Sequence, residues 1–123
     1  MSIQVLVVDD EPTLCSLMIT ILKHAGYRVV SVGNGQEGVT CLQTDPDYGL
    51  VITDLLMPKM DGLALLHSVK QCCPAVPVIL SSTIHDPAIV HQILEQGAAG
   101  FLPRPFTPKQ LLRLVREVLA LRN

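Results

Sequence analysis

Residues 50–66 read LVITDLLMPKMDGLALL, and this stretch contains one complete example of the unit from which the fold is built. Residues 50–53 form a short apolar run of the kind found in strands that are buried on both faces. Asp61 and Gly62 mark the start of a helix, because apolar side chains follow them at helical spacing. Asp54 lies between the two, where the predicted strand ends. The stretch therefore predicts a buried strand, a polar turn and a helix that packs back on the strand.

The same alternation continues outward to both ends of the sequence. Apolar runs of strand character occupy residues 3–8, 28–32, 50–53, 76–80 and 100–102. Helical patterns follow them and begin near Pro12, Gln36, Asp61, Asp86 and Thr107. Alternating strands and helices indicate a parallel sheet with right-handed crossovers and helices on both faces. We expect a doubly wound α/β domain of five strands and five helices, formed by residues 1–123 as one unit.

Composition limits the classes of function. The chain has 123 residues, of which 49% are hydrophobic and 16% are charged, and its formal net charge is −2. This hydrophobic content excludes a disordered chain. The net charge is weakly negative, so there is no broad basic surface for direct nucleic-acid binding. No apolar run approaches the roughly 18 residues of a membrane span, and no signal peptide is recognisable. A cytoplasmic protein without membrane attachment is the expectation.

Positive charge is concentrated near the C-terminus. Residues 104–123 include a single acidic side chain, Glu117, and a group of cations. The cations are Arg104, Lys109, Arg113, Arg116 and Arg122. A solvated helix face with cations near its negative end explains this pattern, and docking of a partner is the alternative.

The cysteines give no metal-binding or disulfide pattern. Cys15, Cys41, Cys72 and Cys73 form neither a C-x-x-C pair nor a spacing that suits zinc. Cys72 and Cys73 are adjacent and end a helical segment. Free thiols in a reducing compartment are the simplest interpretation.

Polar side chains occur at the ends of four predicted strands. They are Asp9 and Asp10 after the first strand, Asp54 after the third, Ser81 and Ser82 after the fourth, and Arg104 after the fifth. The carboxyl ends of parallel strands share one rim of the sheet, and ligands bind there in open α/β folds. We therefore expect these side chains to converge at one rim.

The combination of side chains indicates phosphoryl chemistry. Three crowded carboxylates repel one another, and Mg²⁺ relieves this repulsion because it binds carboxylate, carbonyl and water oxygens. A carboxylate beside that ion can attack a phosphoryl group and form an acyl phosphate. Charge on the phosphoryl oxygens then calls for a cation and a hydroxyl donor, which Arg104 and Ser82 supply. The set predicts that Asp54 accepts a phosphoryl group.

Each of these residues also has a simpler explanation. Two aspartates before a helix are often an N-cap, an aspartate at a strand end is often a turn former, and paired serines are often part of a loop. The ordered set Asp-Asp, Asp, Ser and Arg at successive strand ends is difficult to obtain from turn chemistry alone. The phosphoryl site is therefore the favoured interpretation.

The sequence resembles the receiver domains of two-component response regulators over essentially all of residues 1–123. The segments that carry this resemblance are 7–12 (VVDDEP), 53–58 (TDLLMP), 60–62 (MDG), 77–79 (PVI), 97–101 (GAAGF) and 104–106 (RPF). The resemblance implies a flavodoxin-like fold whose five parallel strands lie in the order 2-1-3-4-5. It also implies a signalling domain rather than an enzyme, and a cis peptide bond before Pro105.

The resemblance implies roles for the acidic residues. Asp54 would take a phosphoryl group from a histidine kinase or a phosphotransfer protein. Asp10 and the backbone carbonyl of Leu56 would bind Mg²⁺ directly in the site that contains Asp54. Asp9 would act on the metal through water.

The half of the site that would sense the phosphoryl group departs from the family pattern. The resemblance implies that Ser82 contacts the phosphoryl group and reorients on activation, and that Phe101 is the aromatic rotamer switch. Arg104 stands where the family usually has lysine, and a planar guanidinium differs from a compact ammonium. Phosphorylation could persist with weaker coupling to the output face, or Arg104 could hold Asp54 in a fixed ion pair.

Thr83 is a second departure, since the family prefers alanine or glycine directly after the hydroxyl residue. Its β-branch is expected to narrow the route to Asp54. Leu56 and Ile84 are apolar at positions that influence the attacking water in receivers. Together these residues predict slow loss of the phosphoryl group.

Three features of the sequence relate to functions other than phosphoacceptance. Residues 33–38 spell G-x-G-x-x-G, but they follow the second strand beside acidic strand ends, so turn glycines explain them better than a dinucleotide site. An aspartyl-phosphate phosphatase would carry a second aspartate where Leu56 stands. A degenerate receiver that acts as a phosphorylation-independent interaction module is the stronger alternative.

The last two helices and the fifth strand are the expected surface for self-association. The fourth predicted helix has two apolar pairs at i,i+4 spacing, Ile89/Ile93 and Val90/Leu94. One pair must pack on the sheet, and the other could face a partner. A homodimer through this surface is a possible outcome of the switch.

Overall fold

The computed structural model describes residues 2–57 and 60–121, in which five strands alternate with five helices. The strands are β1 (Gln4–Val8), β2 (Arg28–Val32), β3 (Tyr48–Asp54), β4 (Val78–Ser82) and β5 (Gly100–Pro103). The helices are α1 (Pro12–His24), α2 (Gly35–Thr44), α3 (Gly62–Cys72), α4 (Pro87–Glu95) and α5 (Pro108–Leu121). Pro58 of the TDLLMP segment and Arg122 of the C-terminal cations lie outside the described residues.

The strands form one parallel sheet in the order β2-β1-β3-β4-β5, which confirms the predicted architecture and strand order. β3 lies at the centre, with Val51 beside Leu6 of β1 and Val78 of β4. β5 is an edge strand that pairs with β4. Pro103 is its last residue, where the missing N–H of proline interrupts no ladder.

Helices cover both faces of the sheet. Leu6 of β1 joins a core with Leu65 of α3, whereas the next residue, Val7, joins a second core with Met18 of α1 and Leu111 of α5. This division follows from the strand geometry, because successive side chains point to opposite faces. All five residues of β1 are buried, as its apolar run predicted.

Three strand starts differ from the prediction. β1 begins at Gln4 rather than at residue 3. β3 begins at Tyr48 rather than at residue 50, because β1 already pairs with it at Gln4. β4 begins at Val78 rather than at residue 76, because Pro77 lacks the N–H that a sheet ladder requires.

The helix starts agree with the predicted capping residues. Asp61 and Asp86 each accept a backbone N–H from the first turn of the following helix, at 2.9 Å. At α5, Thr107 Oγ1 accepts from the Gln110 N–H, and Gln110 Oε1 accepts from the Thr107 N–H, which completes a capping box. These bonds fix where each helix leaves the sheet.

Helix α4 buries one of its two apolar pairs. Ile93 is buried and Ile89 packs on the same core, whereas Leu94 is 43% exposed and Val90 is half-buried. The prediction that one pair packs on the sheet is confirmed. Within residues 2–57 and 60–121, no helix combines the length and apolar character needed to cross a membrane.

Candidate functional site

The structure brings the predicted site residues to the C-terminal rim of the sheet. Asp9 and Asp10 follow β1, and Arg104 follows β5. Asp54 and Ser82 are the last residues of β3 and β4, whereas the sequence predicted that both would follow their strands, so both strands are longer at this end than predicted. The ladder between β3 and β4 therefore extends into the site.

Asp9, Asp10 and Asp54 form a compact carboxylate cluster. One carboxylate oxygen from each lies within 4.8 Å of those of the other two. Asp9 is buried, Asp54 is half-buried and Asp10 is exposed. The cluster is thus open to solvent on the side of Asp10, from which an ion or a substrate can approach.

The environment of Asp54 opposes its ionisation. Burial raises the pKa of the Asp54 carboxyl above its ordinary value, and the charges of Asp9 and Asp10 raise it further. The Arg104 guanidinium and the Leu56 N–H lower the same pKa but do not offset the burial. A cation added beside Asp54 would favour the carboxylate, which is the nucleophilic form.

Arg104 connects three of the strand ends through its guanidinium, which is 10% exposed. Nη2 donates to Asp9 Oδ2 at 2.5 Å, and Nε donates to Ser81 Oγ at 2.9 Å. Nη1 lies 3.7 Å from Asp54 Oδ2. The short ion pair is therefore made with Asp9, and Asp54 is the more distant carboxylate.

Ser81 is a contributor that the sequence did not single out from Ser82. Its hydroxyl is buried at the end of β4, donates to the Leu102 carbonyl at 2.8 Å and accepts from Arg104 Nε. The signal that could have pointed to it is a hydroxyl residue that directly continues the apolar run of a buried strand. Its role is to hold the guanidinium in place.

The loop after β3 is held close to the sheet. The Leu56 N–H points at Asp54 Oδ1 from 3.4 Å, and the Leu55 N–H donates to the Ser81 carbonyl at 2.9 Å. At Gly62 a Cβ atom would overlap the Asp54 carbonyl oxygen and lie 2.7 Å from Leu80 Cδ2. Glycine is therefore needed at residue 62 for this approach of α3 to β3.

The residues after β4 form one side of the rim. Ser82 is buried, and its Oγ accepts from the Ile84 N–H at 2.9 Å. Thr83 and Ile84 are exposed, and so is the Leu56 side chain on the neighbouring loop, at 58%. The Leu56 and Ile84 N–H groups contact Asp54 and Ser82, so these exposed residues lie next to the site.

Phe101 packs against apolar side chains of the core. It is a half-buried residue of β5 whose neighbour in the ladder is Leu80. Phe101 and Ile89 of α4 both pack against the core that contains Ile93. The peptide bond between Arg104 and Pro105 is cis, as the resemblance implied.

The G-x-G-x-x-G segment has a packing explanation. Asn34 caps α2 by accepting from the Glu37 N–H at 3.0 Å. A Cβ atom at Gly35 would lie 2.7 Å from the Met60 carbonyl oxygen, and one at Gly38 would lie 3.2 Å from Val8 Cγ2. Close approach of α2 to its neighbours accounts for Gly35 and Gly38, whereas a Cβ atom at Gly33 would meet nothing within 4 Å.

Comparison with known proteins agrees with this geometry. The chain matches the family model of the response regulator receiver domain over residues 5–116. It is 34% identical over 117 residues to the two-component response regulator ORR11 of Oryza sativa subsp. indica, which covers 94% of this chain and 80% of the rice protein.

Solved structures of similar proteins have the same fold. The fold is similar to that of the chemotaxis protein CheY4 of Vibrio cholerae, with a TM-score of 0.89 and 28% identity over 96% of this chain and 99% of that one. It is also similar to the signal receiver domain of a signal transduction histidine kinase from Syntrophus aciditrophicus, with a TM-score of 0.87 and 36% identity over 97% and 91% of the two chains.

Proposed function

Because the chain belongs to the response regulator receiver family, we propose that Asp54 accepts a phosphoryl group from a histidine kinase or a phosphotransfer protein in a Mg²⁺-dependent reaction. The observation that carries this proposal is the position of the Asp54 carboxylate. It ends the central strand, within 4.8 Å of oxygens from Asp9 and Asp10, and faces the Arg104 guanidinium. Nucleophile, metal ligands and cation are thus assembled around one carboxylate.

The donor set at this rim fits Mg²⁺. Three carboxylates and the backbone carbonyl of Leu56 are the hard oxygen donors that this ion prefers. Both oxygens of Asp9 already have partners, Arg104 Nη2 and the Glu11 N–H at 2.9 Å, which supports an action of Asp9 through water. Held by Asp10, Asp54 and the Leu56 carbonyl, Mg²⁺ would offset the carboxylate charges and those of the incoming phosphoryl oxygens.

In the transfer step an oxygen of Asp54 attacks phosphorus while the bond from phosphorus to the donor imidazole nitrogen breaks. Arg104 is already oriented for this step, because Asp9 and Ser81 hold two of its nitrogens and Nη1 faces Asp54. A phosphoryl oxygen on Asp54 would come within reach of Nη1. Ser82 accepts its bond from the backbone, which leaves its hydroxyl hydrogen free to be donated to the phosphoryl group.

We further propose that the phosphoryl group is lost slowly. Leu56, Thr83 and Ile84 are exposed residues next to the site with apolar or branched side chains. They would restrict the approach of a hydrolytic water to the phosphorus. Thr83→Ala should therefore shorten the lifetime of the phosphoprotein severalfold, and Arg104→Lys tests the contribution of the guanidinium. Rapid phosphoryl loss from the unmodified protein would contradict this part of the proposal.

Output is proposed to pass through Phe101 and the surface formed by α4, β5 and α5. Leu94 of α4 and Leu121 of α5 are exposed apolar side chains on two of these elements. Reorientation of Ser82 on phosphorylation would change the packing of Phe101 and with it the exposure of this surface. A homodimer through the surface, no direct contact with nucleic acid and a cytoplasmic location stay predictions.

The test is labelling with acetyl phosphate in Mg²⁺, followed by intact mass measurement. We expect one base-labile phosphoryl group per chain, located at Asp54, and no label in excess EDTA. Asp54→Asn should abolish labelling. Asp47→Asn, which changes an exposed aspartate at the opposite rim, should leave it unchanged. Continuous turnover of phosphate esters would indicate a phosphatase instead.

A phosphorylation-independent interaction module is the second candidate, and the contact between Arg104 and Asp9 favours it. A guanidinium on Asp9 places a positive charge beside the metal site, and this charge would weaken the binding of Mg²⁺. Failure of the wild-type protein to label, together with no Mg²⁺ binding by calorimetry, would support this candidate. Labelling that appears in Arg104→Lys alone would identify Arg104 as its cause.

A further inference from the structure

Two adjacent thiols lie at the opposite rim of the sheet from Asp54. Cys72 is the last residue of α3, and Cys73 is its C-cap. Their Sγ atoms are 3.0 Å apart, and the peptide bond that joins them is trans. Cys72 is exposed and Cys73 is half-buried. One thiol of the pair is thus open to a reagent, and the other is in contact with it.

The pair lines an apolar cavity of about 520 Å³. The cavity lies between the ends of α2 and α3 and the starts of β3 and β4. Leu42, Tyr48, Pro74 and Val76 are among the residues that line it with the two cysteines. A small molecule attached to Cys72 would therefore have room beside the thiol without displacing the core.

The two thiols differ in their readiness to react. Burial raises the pKa of the Cys73 thiol to about 11, and the hydrogen bond and charge of Cys72 act in the same direction. Cys73 therefore stays protonated at neutral pH and can donate to the Cys72 sulfur. Cys72 is the exposed thiol of the pair, so it is the one that attacks first.

We propose that Cys72 and Cys73 form a reversible dithiol–disulfide couple in which Cys72 attacks a small-molecule disulfide and Cys73 then closes an internal bond. Cys15 and Cys41 take no part, because Cys15 is buried in the core on the α1 side and Cys41 lies beside Tyr48. The proposal is independent of phosphorylation at Asp54.

The thiol–disulfide exchange takes place in two steps. The Cys72 thiolate bonds to one sulfur of the disulfide R–S–S–R, and R–S⁻ leaves and takes up a proton. The Cys73 thiol then attacks the Cys72 sulfur, which forms the Cys72–Cys73 bond, and the second R–S⁻ leaves and takes up the proton that Cys73 gives up. Two protein thiols are oxidised, and one small disulfide is reduced to two thiols.

The closed form is expected to be strained and easily reduced. A trans peptide holds adjacent Cα atoms about 3.8 Å apart. Disulfides usually join Cα atoms roughly 4.4–6.8 Å apart, and departures from this range make the bond more reducible. A small-thiol pool can then reverse the reaction, which is the behaviour of a labile disulfide rather than a structural one.

Formation of the Cys72–Cys73 disulfide would change the contacts at the end of α3. The Cys73 N–H donates to the Val69 carbonyl at 2.8 Å, and the Val76 N–H donates to the Cys73 carbonyl at 3.0 Å. The Cys73 thiol also contacts the Leu42 carbonyl of α2 at 3.9 Å. A backbone change at Cys73 disturbs all three contacts, so the oxidised protein should unfold at a lower temperature than the reduced one.

The test incubates the folded, reduced protein with glutathione disulfide and follows its intact mass and peptide map. We expect wild type to lose two hydrogen atoms at the peptide containing Cys72 and Cys73, and excess reduced glutathione to restore them. Cys73→Ser should stop at a glutathione adduct on Cys72. Cys72→Ser should react more slowly by roughly tenfold or more, since the exposed thiol is gone.

Cys15→Ser/Cys41→Ser is the matched control and should behave as wild type. Thermal unfolding checks that each variant is folded. Limiting iodoacetamide on the wild-type protein gives a second measurement that needs no substitution, and its first label should fall on Cys72. A stable glutathione adduct on the wild-type protein, first reaction at another cysteine, or an unchanged rate in Cys72→Ser would each overturn the proposal.

Discussion

The two rims of the sheet each hold an arginine–aspartate pair, and the pairs are opposite in character. At the C-terminal rim the Arg104 and Asp9 side chains are 10% and 1% exposed, and their nearest nitrogen and oxygen are 2.5 Å apart. At the N-terminal rim Arg28 and Asp47 are 50% and 68% exposed, with the corresponding atoms 2.8 Å apart. The two contacts have similar lengths and the same residue types.

Burial and neighbouring charge decide what such an ion pair contributes. Water screens the exposed pair, so it contributes little to folding. The buried pair lies beside two further carboxylates, Asp10 and Asp54, and one guanidinium does not neutralise all three acids. The excess negative charge makes this rim suitable for a divalent cation and for phosphoryl transfer.

Replacing each arginine by alanine should give the largest difference in stability between the two rims. Arg104→Ala leaves Asp9 buried beside Asp54 without its cation, so the free energy of unfolding in metal-free buffer should fall by about 3–5 kcal/mol. Arg28→Ala should cost at most about 1 kcal/mol. Urea unfolding of both variants measures these losses, and equal losses would contradict the contrast between the rims.

The effect of Mg²⁺ on the unfolding temperature gives a second measurement on the same variants. Mg²⁺ should raise the unfolding temperature of Arg104→Ala more than that of wild type, because no guanidinium then competes for Asp9. Arg28→Ala should respond as wild type does. An equal Mg²⁺ response in all three proteins would show that Arg104 does not oppose metal binding.

Gly62→Ala should give the next largest effect. The added Cβ would overlap the Asp54 carbonyl oxygen, and the resulting strain should destabilise the protein by about 1–3 kcal/mol. Gly33→Ala is the matched control, since a Cβ there meets nothing within 4 Å. Thermal unfolding compares the two variants. A stable Gly62→Ala protein that still accepts phosphate would mean that the close approach of α3 is not required.

Ser81→Ala should cost about 1–2 kcal/mol, because the Leu102 carbonyl and Arg104 Nε both lose a buried partner. The loss should be smaller in an Arg104→Lys background, since lysine has no Nε to satisfy. Denaturant unfolding of the two single variants and the double variant gives this coupling. An unchanged loss in the lysine background would contradict a role for Ser81 in holding Arg104.

The smallest expected effect is a pH-dependent gain from Asp54→Asn. The folded state raises the pKa of Asp54, so wild type loses stability as pH rises from the unfolded value of about 4 through the folded value. Asparagine does not titrate, and the variant should be more stable at neutral pH by about 1 kcal/mol, the size of one relieved charge contact. The gain should vanish below the unfolded pKa. A gain that does not change with pH would exclude ionisation as its cause.

Much of the fold could be predicted from local patterns. Apolar runs identified all five strands, and capping residues such as Asp61, Asp86 and Thr107 identified the helix starts. The structure extends β3, β4 and β5 one or two residues past their predicted ends, because local patterns assign Asp54, Ser82 and Pro103 to turns. Hydrogen bonds to a neighbouring strand can extend a strand through polar residues. The local sequence pattern does not show these hydrogen bonds, because they join segments that are far apart in the chain.

The sequence by itself determined that acidic residues, a hydroxyl and a cation would meet at one rim, because parallel strands carry their C-terminal ends to the same edge. Only the tertiary structure decided which of these groups are partners. Arg104 pairs with Asp9 rather than with Asp54, and Ser81 holds it there. The choice depends on differences of about an ångström between segments far apart in the chain, and charge interactions at a buried rim are sensitive to such distances.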